Sequence, residues 1–259
     1  MINNVKILPY NDIEGSKKVL DKFAKDVCCL IIEPISASLP LEKSKDYLKF
    51  LRKYCDKKKI ILIFDEIVTG IRTDKGSVQN KFNIYPDITL AGKIIGGGLP
   101  MSLILTNRNI SNKIDDLKKK IFFGGTFSGN SLSTYVSDEF LKFVIKNKKK
   151  IFKDLELKSL KFYSGLNYLI KQNNLNVSIV RFGSVLRIIF SKKIPRDRLQ
   201  RDFLEKKNNS KRLKFIHFLN KKKIIFPLNG IIFLNTSFTI KEIDNIVEII
   251  GSGLKKYFS

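Results

Sequence analysis

Tryptophan is absent from this chain, histidine occurs once, and cysteine occurs three times in 259 residues. Each scarcity removes options. A histidine-based metal site or a Ser-His-Asp triad would have to centre on His217. That residue falls among Leu213, Phe215, Ile216, Phe218 and Leu219, a pattern that reads as a packed or surface position. Cys28, Cys29 and Cys55 form no CxxC pair and no even framework, which speaks against a zinc ribbon or a disulfide scaffold. They read as buried reduced thiols, the first two on a buried strand. No apolar run approaches the ~18–20 residues that span a bilayer. The opening MINNVKILPYNDIEG lacks the basic, apolar and small-residue order of a signal peptide. The expectation is a soluble cytoplasmic protein with no membrane partner.

Acidic residues are also sparse: Asp+Glu number 24 against 49 Lys+Arg, a formal charge of +25. Such a balance often marks a nucleic-acid binder. Here the lysines run along the whole chain, while isoleucine, asparagine and phenylalanine rise with them, as A/T-rich codons would cause. Arginine, the preferred reader of phosphate and guanine, is the minority cation. No RNA-binding aromatic motif or helix-turn-helix signature is present. Composition therefore points away from nucleic acid as the partner.

What is present is a rhythm of apolar runs and amphipathic stretches. Val27–Ile32, Ile60–Phe64, Pro86–Ala91 and Leu103–Thr106 read as strands, with a helix over Ser44–Lys57. This rhythm predicts an α/β fold with a mainly parallel sheet. A helix is predicted from about Ser131 to Lys146, and lysine-rich Lys146–Lys153 reads as a boundary between two parts, 1–150 and 151–259. The second part reads as α+β. It has helices over about Lys153–Gln172 and Lys206–Lys221, and strands Val177–Phe182, Val185–Phe190, Ile224–Phe226 and Ile231–Leu234. Its last helix is announced by Thr239 and Glu242 at capping-box spacing.

Three features could carry chemistry. Asp65 ends the very apolar strand IILIFDEIVTGIR, at the edge of a parallel sheet where ligands bind. A buried carboxylate there needs a cationic or hydrogen-bonding partner. Lys93, in PDITLAGKIIGGGLP, follows an apolar run rather than lying in a charged one, a setting that makes an amine nucleophilic. Gly124–Ser131, GGTFSGNS, presents small residues and Thr126 before a helix, either as an anion cradle or as a polar turn with a helix cap at Asn130 or Ser131. Glu33 is a further carboxylate at a strand end, readable as a structural acceptor or as a site residue. An acid, an amine and an anion cradle are the parts that a pyridoxal-phosphate site requires.

FDEIVTGIR, PDITLAGKIIGGGLP and GGTFSGN, in that order and with IIEPISA before them, resemble the central signature of class III aminotransferases. The wording is nearest to the glutamate-1-semialdehyde 2,1-aminomutase branch. The resemblance implies the large domain of a fold-type I pyridoxal-phosphate transferase, incomplete here, followed by a small α+β domain. It implies that Lys93 would hold pyridoxal 5'-phosphate and move protons at the substrate carbon. Asp65 would pair with the pyridine nitrogen, Ile67 would pack on the ring, and Thr126 would reach the phosphate in the neighbouring subunit of a homodimer with a shared active site. Family members carry a further phosphate loop and a stacking aromatic in an N-terminal part, so the chain is expected to be a fragment, a truncated reading frame or half of a split protein.

Two positions bear on the branch. Val68 fits the aminomutases, whereas FPLNGIIFLNTSFT lacks their glutamate and has Phe238 near their histidine position. The expected activity is an amino-group transfer or an intramolecular amino shift on a small amino or keto substrate. The alternatives are an aminotransferase acting on another amino acid or a keto sugar, and a catalytically incomplete remnant or basic binding module.

Overall fold

The computed structural model describes residues 4–73, 75–116 and 124–259. The chain divides into two compact units, one formed by Phe23–Pro34 and Lys45–Ile151, the other by Met1–Lys22, Ile35–Ser44 and Phe152–Ser259.

The first of these units is built on four strands: β1 (Cys29–Ile32), β2 (Ile61–Asp65), β3 (Ile88–Gly92) and β4 (Ser102–Thr106), adjacent in that order. The first two pairings are parallel and the β3–β4 pairing is antiparallel. On one face Leu30, Ile32, Leu62 and Phe64 are buried. Helix α2 (Ser44–Lys58) buries Tyr47, Leu48, Leu51, Tyr54 and Cys55, a single stripe at helical spacing. Asp46 in its first turn and Lys57 and Lys58 in its last complement the helix dipole. Asp87 fixes the entry of β3. Its carboxylate accepts from the Leu62 amide at 2.8 Å and from Arg52 at 2.9 Å.

Two of the three thiols depart from the expected burial. Cys28 and Cys29 are exposed, because β1 is the edge strand among the described residues and Cys29 lies on the face opposite Leu30. Cys55 is buried, and burial pushes its thiol up to about 11.

The other unit centres on an antiparallel sheet of β5 (Ser178–Phe182), β6 (Val185–Ile189) and β7 (Ile231–Phe233). Phe162, Leu166, Phe190, Phe215, Ile243, Leu254 and Phe258 belong to its core. Leu39 and Leu41 pack with Val180 and Ile189. The last helix, α8 (Ile240–Phe258), starts with the predicted capping box: the Glu242 amide donates to the Thr239 hydroxyl, and the Glu242 carboxylate accepts from the Thr239 amide.

Three local expectations change. One uninterrupted helix, α5 (Ser131–Gln172), replaces the two predicted on either side of Lys146–Lys153. Lysine is a good helix former, and no proline or glycine occurs between Ser131 and Ser164 to stop it. The predicted helix Lys206–Lys221 is present as α7 (Asn209–Lys221), and a further helix that the sequence reading did not include, α6 (Arg198–Lys206), precedes it. At the break, Asn208 turns its side-chain amide onto the Phe190 carbonyl at 2.7 Å. Ile224–Phe226 is not a strand. It follows Lys223 in a left-handed conformation (φ 63°) and precedes Pro227, while Ile225 is exposed.

Candidate active site

Parallel pairing of β2 with β3 brings their carboxyl ends side by side: Asp65 faces Leu90 in register, and the Glu66 amide donates to the Leu90 carbonyl at 2.9 Å. Asp65 therefore ends one strand and Lys93 leaves the next, on the edge where open α/β sheets present ligand sites. Three described lysines, Lys59, Lys93 and Lys223, have a left-handed backbone, and of these Lys93 is the one that directly follows a strand. Its φ of 52° lies in the left-handed region, which side chains with a β-carbon seldom adopt. It opens a short 3-10 turn, Lys93–Gly96, closed by Gly97 at φ 60°. Its side chain is exposed and makes no hydrogen bond or ion pair with another described residue.

Asp65 is half-buried. One of its carboxylate oxygens accepts from the Ile67 amide at 3.0 Å, which ties the strand end into a tight turn. That is its sole hydrogen bond among the described residues, so the second oxygen is available to a cation or donor. Ile67 is half-buried as well and lies against Gly92. A β-carbon built at Gly92 would come within 3.3 Å of Ile67 Cγ2, so the missing side chain is what lets Ile67 rest at the strand end beside Lys93.

The turn after Lys93 is anchored from helix α5. Ser137, buried, donates its hydroxyl to the Ile95 carbonyl at 2.7 Å, and Gly97 sits against Val136 and Phe140.

Thr126 is on an exposed turn, and no hydrogen bond joins it to Asp65, Ile67 or Lys93 among the described residues. The helix cap falls on Asn130, whose side chain accepts from the Ser133 amide at 3.0 Å. Glu33 is exposed just past β1, and Val68 is half-buried next to Ile67. His217 is exposed on α7, and Phe238 packs on the core of its own unit. No group of metal-binding side chains occurs among the described residues, and no described helix is long and apolar enough to cross a membrane.

One residue beside the pair escaped the sequence reading. Glu66 is 2% exposed, and its carboxylate accepts from the amides of Val78 (2.8 Å) and Gln79 (3.1 Å) and from the Thr69 hydroxyl (3.2 Å). Burial raises its pKa above the ordinary 4.5 despite these donors. The available signal was a second acid placed directly after an apolar strand.

Strand-end acid, left-handed lysine and glycine-cleared shelf lie together at the carboxyl edge of the sheet, as a candidate site in an α/β fold. The chain belongs to the class III aminotransferase family, whose model, described as "Aminotransferase class-III", matches residues 2–250. It is 31% identical over 260 residues to the glutamate-1-semialdehyde 2,1-aminomutase of Fusobacterium nucleatum, covering 99% of this chain and 58% of that protein. It is 35% identical over 203 residues to the protein of the same name from Wigglesworthia glossinidia brevipalpis, covering 74% of this chain and 43% of that one. Among solved structures, an omega-transaminase from Sphaerobacter thermophilus matches with a TM-score of 0.87 at 22% identity, over 96% of this chain and 56% of that one. A glutamate-1-semialdehyde aminomutase from Pseudomonas aeruginosa gives 0.85 at 16% identity, over 98% and 57%. At these identities the structures speak for the fold, which is the α/β fold expected from the sequence. The chain thus spans less than three-fifths of the length of each of these relatives.

Proposed function

We propose that this chain forms part of an enzyme that binds pyridoxal 5'-phosphate and moves an amino group on a small amino or keto substrate. The observation that carries the reading is the placement of Asp65 and Lys93 at the carboxyl ends of neighbouring parallel strands. The local geometry fits the cofactor. Asp65 offers a carboxylate oxygen with no donor among the described residues, Ile67 gives an apolar shelf, and Lys93 presents an exposed amine from a constrained backbone. When bound, pyridoxal phosphate supplies an aldehyde for an amine and a ring that withdraws electrons.

Each residue has a stated part. Asp65 keeps the ring nitrogen protonated through an ion pair. Ile67 packs on one ring face and excludes water from it. Lys93 holds the cofactor through its Nζ and carries a proton to and from the substrate carbon. Thr126 contributes to the phosphate site of a second subunit, so the assembly is a homodimer with a shared site. Residues 1–150 are the cofactor-binding part and 151–259 a small domain, in a cytoplasmic protein.

The test is covalent mapping on the intact chain. Borohydride reduction in the presence of pyridoxal phosphate, followed by peptide mass mapping, should place one dominant label on Lys93 and lose it in Lys93→Ala. A label spread evenly over the surface lysines would overturn the reading. The glutamate-1-semialdehyde aminomutase relatives favour an intramolecular shift. Turnover of glutamate-1-semialdehyde with no amino acceptor present separates that from ordinary transamination.

A further inference from the structure

Two adjacent acids follow β2, and the site reading uses only the first. The side chain of the second leads somewhere specific. Glu66 Oε2 takes the Val78 amide and the Thr69 hydroxyl, and Oε1 takes the Gln79 amide, so one buried carboxylate ties the turn after β2, through Thr69, to the start of helix α3 (Val78–Phe82). From there the chain of contacts returns to the sheet. The Gln79 side-chain amide donates to the Thr89 hydroxyl at 3.1 Å, and Thr89, 7% exposed, lies on β3 four residues before Lys93. A second tie joins the same pair of strands through the Glu66 amide and the Leu90 carbonyl.

We infer that buried Glu66 and Thr89, joined through half-buried Gln79, form a clamp whose task is to position Asp65 and Ile67 against Lys93, with Gln79 and Thr89 as positioning residues for the cofactor site. The inference rests on the proposed function. Glu66 is not a second acid for the chemistry: it is enclosed, and both oxygens are already committed to donors. The geometry explains why the pair is Asp-Glu with distinct duties. The first carboxylate ends the strand with an oxygen to spare, and the second is spent on holding the loop that carries Ile67. Polar bonds in such a closed setting hold a single arrangement, because each broken one leaves a buried group unpaired.

Thr89→Val cuts the Gln79–Thr89 bond without touching the Glu66 carboxylate, whereas Gln79→Leu also removes a side-chain donor from that carboxylate. Gln79→Leu removes the donor and Thr89→Val removes the acceptor at nearly constant volume. Each should weaken pyridoxal phosphate binding on the order of tenfold and shift the pH midpoint of the bound cofactor's visible band. Thr89→Ser, which keeps the hydroxyl, should restore both. The double variant should be no worse than Gln79→Leu alone, since that substitution already cuts the bond to Thr89.

Without cofactor, amide hydrogen exchange at Ala91 and Gly92 should quicken in both variants. Unchanged exchange at those amides, with only a lowered Tm, would overturn the clamp, and so would additive losses in the double variant. The two readings fail separately. A wild-type chain that takes no label on Lys93 ends the proposed function, while the cofactor-free exchange still decides whether the clamp holds the strand end.

Discussion

Along β6, in the C-terminal unit, all five residues are buried. One face meets the core of Phe162, Phe215 and Phe258, and the other is covered by Leu39 and Leu41. Along β4, in the unit that carries Lys93, none is fully buried, and Ile104 and Leu105 are 66% and 50% exposed. β1 alternates between the two conditions, with Leu30 enclosed and Ile31 60% exposed. The C-terminal unit thus closes its sheet with its own helices and the non-helical segment of Leu39 and Leu41, whereas the unit with the candidate site closes one face and leaves apolar area on the other. A sheet with parallel strands is ordinarily covered on both sides. Dense packing and the candidate site thus fall in different units. One unit holds the dense core, and the other presents strand ends and an open face.

The largest expected effect tests the closed unit. Arg187 is fully buried on β6, and its guanidinium donates to Glu205 at 3.1 Å. Burial depresses its pKa to about 10. Arg187→Met would leave the Glu205 carboxylate enclosed with less compensation, and should cost about 3–5 kcal/mol in denaturant unfolding. A loss below about 1 kcal/mol would mean that the pair is wetter than its burial implies.

A middle-sized effect belongs to the α8 cap. Thr239→Ala removes the acceptor for the Glu242 amide and should lower stability by about 1 kcal/mol, read by the same unfolding curve. The smallest effect is expected on the open face. Ile104→Ser should change stability by no more than about 0.5 kcal/mol while reducing self-association in sedimentation. A drop like that of a core variant would break the comparison, by showing that this face is covered in solution.

How much of this could be read from the residues depends on distance along the chain. The α8 cap is legible because Thr239 and Glu242 are three residues apart and act on each other. Asp65 and Lys93 are legible because each ends an apolar run, and parallel strands then bring the ends together without further information. The role of Glu66 is not, since its partners Val78 and Gln79 lie 12 and 13 residues away on a helix of five residues. Cys28 and Cys29 mislead for another reason. An apolar run does not say whether its strand sits inside a sheet or at the edge, so VCCLII reads as buried throughout when half of it is not. The lysines of α5 mislead because a run of charge looks like a boundary, although lysine continues a helix as readily as leucine.

The anchoring of the Lys93 turn by Ser137 and Phe140 also sets an order of events at the ribosome. The hydrogen bond from Ser137 to the Ile95 carbonyl spans 42 residues, and the packing of Gly97 needs Val136 and Phe140 from the same helix. A nascent chain that has just exposed Lys93 therefore has nothing against which to set that turn. At ~5–20 residues per second, an interval of roughly 2–9 seconds passes before Phe140 has been added. The expected outcome is that Lys93 takes up its left-handed backbone only when the first turns of α5 are available to hold the turn. Chains stalled before Ser137 should accordingly show no preference for Lys93 in borohydride labelling, and chains stalled well beyond Phe140 should show it.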